Sequence, residues 1–213
     1  MTALLGDPDE RKKTMTDLAK IEQFTVTQKI TLMVNRYEIR TVLPDGKPGE
    51  LLAFAQQKRM AFKEEVTFYT DEKRTNPVFS FKARQRLDLG ATYDVKDAAG
   101  QPIGWFRKDF RKSFLRSSWH LGTTGSDVEL FGQERNKNVA IARRLWEILP
   151  YVSDLPSPFV FHFDFTTPDG RVLFSSVRKR SLRDRYVIDV PGGELDGRLA
   201  AAMAVGLDAL QHR

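Results

Sequence analysis

The chain has 213 residues, 34 Lys/Arg against 28 Asp/Glu, a net charge of +6 and no cysteine. This length suits one large domain or two small ones, and 41% hydrophobic residues is ordinary for a globular protein. The absent thiol excludes disulfides, thiolate catalysis, Cys-ligated zinc and iron–sulfur clusters.

In chain order, residues 1–22 read as a flexible charged tail. Met1 to Lys20 has no apolar stretch of signal-peptide length, which suits a cytoplasmic protein. From residue 23 onward the pattern is one of strands and tight turns. Strands are expected near 24–29, 31–40, 51–58, 64–70 and 102–108. Phe79, Phe81 and Ala83 alternate with Ser80, Lys82 and Arg84, and Phe159, Phe161, Phe163 and Phe165 alternate with Val160, His162 and Asp164. Such period-two patterning gives one dry and one wet face, as in an antiparallel sheet.

A weak repeat organises the hairpins. Tyr37-Glu38-Ile39, Tyr93-Asp94-Val95 and Phe163-Asp164-Phe165 each run into a glycine turn: Pro44-Asp45-Gly46, Ala98-Ala99-Gly100 and Pro168-Asp169-Gly170. These turns supply the positive φ that reverses a strand. Each returning strand ends basic, at Lys58-Arg59, Arg107-Lys108 and Arg178-Lys179-Arg180. The segment 138–149 reads as an inserted amphipathic helix, capped by Asn138 and ended by Pro150. It either packs on the sheet or lies at a membrane interface through Trp146, Arg143 and Arg144. A closing strand, Tyr186 to Val190, ends at Pro191-Gly192-Gly193.

The final segment, 194–212, reads as a helix, and from Leu199 to Leu207 it has no polar side chain on any face. A helix apolar all round is buried all round. Its run is shorter than the roughly 20 residues of a membrane span. Small side chains, Ala above all, suit a narrow bore. The expected fold is therefore mainly β: one domain over 23–213, a closed antiparallel β-barrel wrapped around a buried hydrophobic C-terminal helix, with no transmembrane segment.

Several stretches resemble the LURP-one-related proteins: Glu64-Glu65-Val66-Thr67-Phe68-Tyr69-Thr70-Asp71-Glu72, Tyr93-Asp94-Val95 through Gly100 to Ile103-Gly104-Trp105-Phe106-Arg107-Lys108, and Ser113-Phe114-Leu115-Arg116 with Trp119. The likeness extends to the C-terminal helix and covers about residues 23–213. That family shares its fold with tubby C-terminal domains and phospholipid scramblases. The resemblance implies a barrel of about twelve strands around the helix, and it is specific for fold and weak for activity. The chain departs from the scramblases in lacking their cysteine-rich segments and proline-rich tail. It also has no calcium loop; Asp164 to Gly170 has the ingredients at the wrong spacing. Tubby domains bind phosphoinositide headgroups through basic barrel residues, and the general idea of an anionic lipid ligand carries over.

No catalytic constellation is expected. His162 and Asp164 share a strand face without a third ligand in sequence reach, His120 has nothing matching around it, and Gly122-Thr123-Thr124-Gly125 lacks the Lys of a phosphate loop. No metal or cofactor is expected. The charge is uneven instead: residues 77–120 hold nine Lys/Arg against four Asp/Glu, and residues 171–185 hold six against one. An excess gathered in two segments suggests an anionic partner more than a uniform +6 would, the alternative being solvated strand ends and hairpin tips. The candidate binding residues are Arg107, Lys108, Arg111 and Lys112, interleaved with aromatics, together with Arg178, Lys179 and Arg180. Anionic lipid headgroups are the first expected partner, at the inner membrane surface. Single-stranded nucleic acid is the second, and a structural or protein-interaction role is the third.

Overall fold

A computed structural model describes residues 18–30, 34–58, 65–85, 91–109, 117–135, 162–179 and 185–210. Twelve antiparallel strands follow one another around a closed barrel: β1 (Gln23–Ile30), β2 (Val34–Val42), β3 (Pro48–Lys58), β4 (Glu65–Tyr69), β5 (Pro77–Ala83), β6 (Thr92–Asp97), β7 (Pro102–Lys108), β8 (Ser118–Thr123), β9 (Glu129–Glu134), β10 (His162–Thr166), β11 (Val172–Lys179) and β12 (Arg185–Asp189). Each strand pairs with its neighbours in sequence, and β1 closes on β12, with Phe24 opposite Ile188 and Val26 opposite Tyr186. Closure gives each of the twelve described strands a partner on both sides, the shortest ladder being that of β3 and β4 at Phe54–Tyr69 and Ala55–Phe68.

The alternation read from the sequence decides the two faces. Phe68, Phe79, Phe81, Phe106, Phe165 and Phe174 are all at most 1% exposed and belong to one core cluster. Their rings pack tightly: Phe68 on Phe79 at 4.1 Å and Tyr93 on Phe106 at 5.2 Å between centroids. At about 1.5–3 kcal/mol for each large apolar side chain taken from water, this lining is the main stabilising term.

A 3-10 turn at Pro191–Gly193 leads from β12 into α1 (Gly197–Leu210), which begins three residues later than the 194–212 segment expected; positions 211–213 lie outside the described residues. The start is set by Asp196, whose carboxylate accepts a hydrogen bond from the Arg198 backbone N–H at 2.8 Å and so caps the first turn. Twelve of the fourteen helical residues are buried. The two exceptions, Arg198 and Asp208, are the charged ones. Arg198 is bound to Asp196 at 2.6 Å, and Asp208 accepts hydrogen bonds from the Tyr37 and Tyr186 hydroxyls, both at 2.9 Å. Beside that carboxylate, burial first and the Asp208 charge second push the Tyr37 pKa far up, so the phenol stays a donor.

Small residues make room for the rod. A Cβ on Gly206 would lie 2.9 Å from the Phe106 ring, and one on Gly104 would lie 2.6 Å from Leu199. A Cβ on Gly197 would sit 2.1 Å from the Leu18 carbonyl oxygen. Leu18, which the sequence places in the tail, is 1% exposed and joins the core, so the folded unit begins before β1.

The helix enters at the end where the odd-numbered strands begin, near Leu18, and finishes where they end, near the start of β12. We term the second end the upper rim. At the lower rim the strands turn tightly, and Gly46, Gly100 and Gly170 adopt the positive φ expected of them (76°, 82° and 89°). The six connections at the upper rim, 31–33, 59–64, 86–90, 110–116, 136–161 and 180–184, lie outside the described residues. They include segment 138–149, so the expected amphipathic helix falls outside the described residues.

Strands β8 and β9 have no counterpart among the expected strands. Each carries a glycine, which by itself weakens a strand because it has no side chain to pack. In space, a Cβ at Gly122 would meet the Trp105 ring at 2.5 Å and one at Gly132 the Phe165 ring at 2.2 Å. A neighbouring aromatic fills the place of the missing side chain, so the strand continues.

Candidate functional site

In an all-antiparallel barrel every odd-numbered strand points the same way. The basic ends of β3, β7 and β11 therefore all stand at the upper rim, at Lys58, Lys108 and Lys179. Four strand positions separate each from the next, which is about 19 Å along the sheet at about 4.8 Å per strand. The hairpin repeat thus spaces its basic ends evenly around one rim and does not bring Arg107 and Lys108 beside Arg178 and Lys179. Arg111, Lys112 and Arg180 lie outside the described residues.

Pleating divides the four described residues between two faces. Arg107 is on the outer face, with its guanidinium 5.6 Å from the Trp105 ring centroid and Nη2 3.4 Å from Glu129 Oε1. Lys108 is on the face of Phe106, and its Nζ stands 5.9 Å from the Trp119 ring centroid. Arg178 faces inward opposite Tyr186, and Lys179 faces outward opposite Arg185.

The surroundings of the two runs differ in charge. Next to Arg107, His120 Nε2 is 3.1 Å from Asp109 Oδ2, and its Nδ1 contacts Glu129. This corrects the expectation that nothing matches His120: its partners come from β9 and the end of β7, through strand register rather than sequence spacing. Acidic residues therefore offset the cations of β7.

Next to Lys179 the balance is positive. His162 and Asp164 do share the outer face of β10, but Asp164 is taken by Arg135, which donates from Nε and Nη2 at 2.6 Å each. That pair holds the Arg135 pKa above its ordinary value. His162 is held below its ordinary pKa by burial first and then by the Arg135 and Lys179 charges, against the pull of Asp164. Across the same face runs the row Lys179, Arg185 and Thr27, each opposite the next, with Glu38 opposite Thr27 on β2. Glu38 is bound by Lys29 and by Arg40 Nε at 2.9 Å. Burial raises its pKa, and the hydrogen bonds from those two cations overcome that and hold it below the usual carboxylate value. Sequence reading picked out Lys179 in this row and missed Arg185 and Thr27, which only barrel closure brings together.

These shifts predict an acid-side loss of stability. Glu38 has a lowered folded pKa, so its contribution is present above its unfolded value and is lost as pH falls through the folded one. The lowered His162 pKa has the same sign: below about pH 6.5 the unfolded chain takes up the proton first. The melting temperature is expected to fall with acidification from about pH 6.5. His162→Gln should flatten the first part of that fall and Glu38→Gln the part below about pH 4.5. Unchanged slopes in both variants refute the assignment.

Among the described residues no group of three His, Asp or Glu could hold a metal ion, and no helix is long and apolar enough to cross a membrane. Residues 51–208 match the family model described as LURP-one-related. None of the curated proteins matches the chain.

Proposed function

The chain belongs to the LURP-one-related family, and from that premise we propose that it is a binding protein and not an enzyme, whose basic upper rim takes anionic phospholipid headgroups. One observation carries this reading. The described residues, which make up the barrel wall, lower turns and helix, hold nineteen Lys/Arg and nineteen Asp/Glu. The six stretches of sequence that join strand ends at the upper rim hold eleven against five. A neutral framework with its surplus on the connections of one end is what a protein needs to meet a negatively charged surface end-on. Of the candidate residues, Arg107, Lys108, Arg178 and Lys179 end β7 and β11 at that rim, and Arg111, Lys112 and Arg180 follow them in sequence. On this reading the protein works in the cytoplasm and peripherally at the inner membrane surface.

Each basic residue near an anionic bilayer contributes about 1 kcal/mol. Changing Arg107, Lys108, Arg111 and Lys112 to Ser should therefore weaken association by at most about 4 kcal/mol, or up to roughly a thousandfold in partitioning, and by less to the extent that Glu129 already offsets Arg107. Flotation with vesicles rich in anionic lipid measures this. Wild type should float with them at low salt, not with neutral vesicles, and should detach at high salt, where exposed charges are screened. Equal flotation with neutral and anionic vesicles, or none with either, sinks the lipid reading. Salt-sensitive binding to single-stranded oligonucleotides without flotation would replace it with nucleic acid.

A further inference from the structure

The outer row on β11, β12 and β1 lacks something that folded proteins normally supply. Lys179 and Arg185 are directly opposite in the ladder, and like charges so placed repel. Among the described residues neither has a carboxylate partner. Among the described residues, the carboxylates flanking the row are already engaged: Glu38, opposite Thr27, by Lys29 and Arg40, and Asp164 on β10 by Arg135. Two donors in the row are also orphaned. Arg185 Nε and Thr27 Oγ1 are buried with no hydrogen-bond partner, and Thr27 is only 7% exposed. One strand further on, His162 Nδ1 is likewise buried without a partner. Buried polar groups are satisfied in the great majority of cases, and three on neighbouring strands, beside an uncompensated pair of cations, call for a common cause.

We propose that Thr27, Lys179 and Arg185 form a subsite for a phosphate monoester. The inference rests on the reading above only for its choice of an anionic partner at this end of the barrel. Opposite residues in an antiparallel ladder have Cβ atoms about 5 Å apart, so one tetrahedral oxyanion can be reached from all three strands. Arg185 supplies a planar fork of N–H donors suited to phosphate oxygens, Lys179 a mobile ammonium, and Thr27 a hydroxyl donor. The charge selects among anions. A monoester carries close to two negative charges at neutral pH and meets both cations, whereas a carboxylate or a phosphodiester, with one, leaves the Lys179–Arg185 repulsion half relieved. His162, neutral beside two cations, stands at the edge of the row to accept or donate one more hydrogen bond.

The test uses the full chain and inorganic phosphate as probe. Phosphate at millimolar concentration should raise the melting temperature by several degrees over sodium chloride of equal ionic strength, since a ligand of the folded state stabilises it. Arg185→Met and Lys179→Met should each weaken phosphate binding at least tenfold by titration calorimetry, and Thr27→Val should weaken it less. These variants remove an orphaned donor or a like-charge contact, so their melting temperatures without phosphate should equal or exceed that of wild type. Failure to fold is therefore not the expected outcome, and a variant that melts many degrees lower counts against the site. A phosphate effect no larger than that of chloride, or one that survives in Arg185→Met, overturns the proposal. Vesicles separate the two sources of a monoester. Flotation favouring phosphatidic acid over phosphatidylglycerol, lost in Arg185→Met, makes the ligand a lipid headgroup. Phosphate binding without flotation makes it a soluble phosphate, so this site stands while the lipid reading falls. Equal flotation with both lipids, with no phosphate effect, leaves the rim reading standing and removes this site.

Discussion

Replacing Met203 by Asp is expected to abolish the folded barrel. Met203 is fully buried at the middle of α1 and is enclosed by the core on every side. Losing a buried Met side chain costs about 2–5 kcal/mol. Burying even a protonated carboxyl without a partner adds about 2–7 kcal/mol. The sum is comparable to the whole stability of a domain, about 5–15 kcal/mol. Met203→Leu, which keeps volume and polarity, should cost less than about 1.5 kcal/mol. Circular dichroism melts of the two variants make the comparison. A Met203→Asp protein that melts like wild type would show that the helix does not occupy the bore.

Gly132→Val is expected to have the second largest effect, and by a different route. Gly132 is in β9, and a Cβ there would lie 2.2 Å from Cε1 of Phe165. That ring cannot simply swing away: Phe165 is fully buried and packs on Phe174 at 4.8 Å between centroids. Overpacking in a dense core costs about 1–3 kcal/mol, and more where neighbours cannot shift. A branched side chain on the inner face should reach at least about 3 kcal/mol. The partner experiment is Phe165→Ala in the Gly132→Val background, which should recover part of the loss because the two residues compete for one space. Additive destabilisation, measured by urea unfolding, would refute the packing account.

Much of this architecture was legible from local pattern. An uninterrupted apolar run from Leu199 to Leu207 must be enclosed whatever encloses it, because no face of it tolerates water. Alternation in 79–83 and 163–165 separated the inner from the outer face, and the Asp-Gly and Ala-Gly turns placed the hairpins. These signals depend on neighbours within a few residues, and so the sequence alone carries them. β8 and β9 were illegible because Gly122 and Gly132 owe their place to Trp105 and Phe165, which lie on other strands.

The candidate site divides in the same way. That basic residues end β3, β7 and β11 was plain from the hairpin repeat, and the charge surplus could be counted. That these ends share a rim but stand four strands apart follows from the strand order, which no local pattern encodes. The meeting of Thr27 with Arg185, across more than 150 positions of chain, exists only because β1 closes on β12 in one register. The partners of His120 likewise come from strand pairing. A turn or a face is decided by the short-range geometry of the backbone, so composition and periodicity determine it. Which charges face one another is decided by register around a closed ring, where each strand's position depends on all the others, and only the tertiary structure determines that.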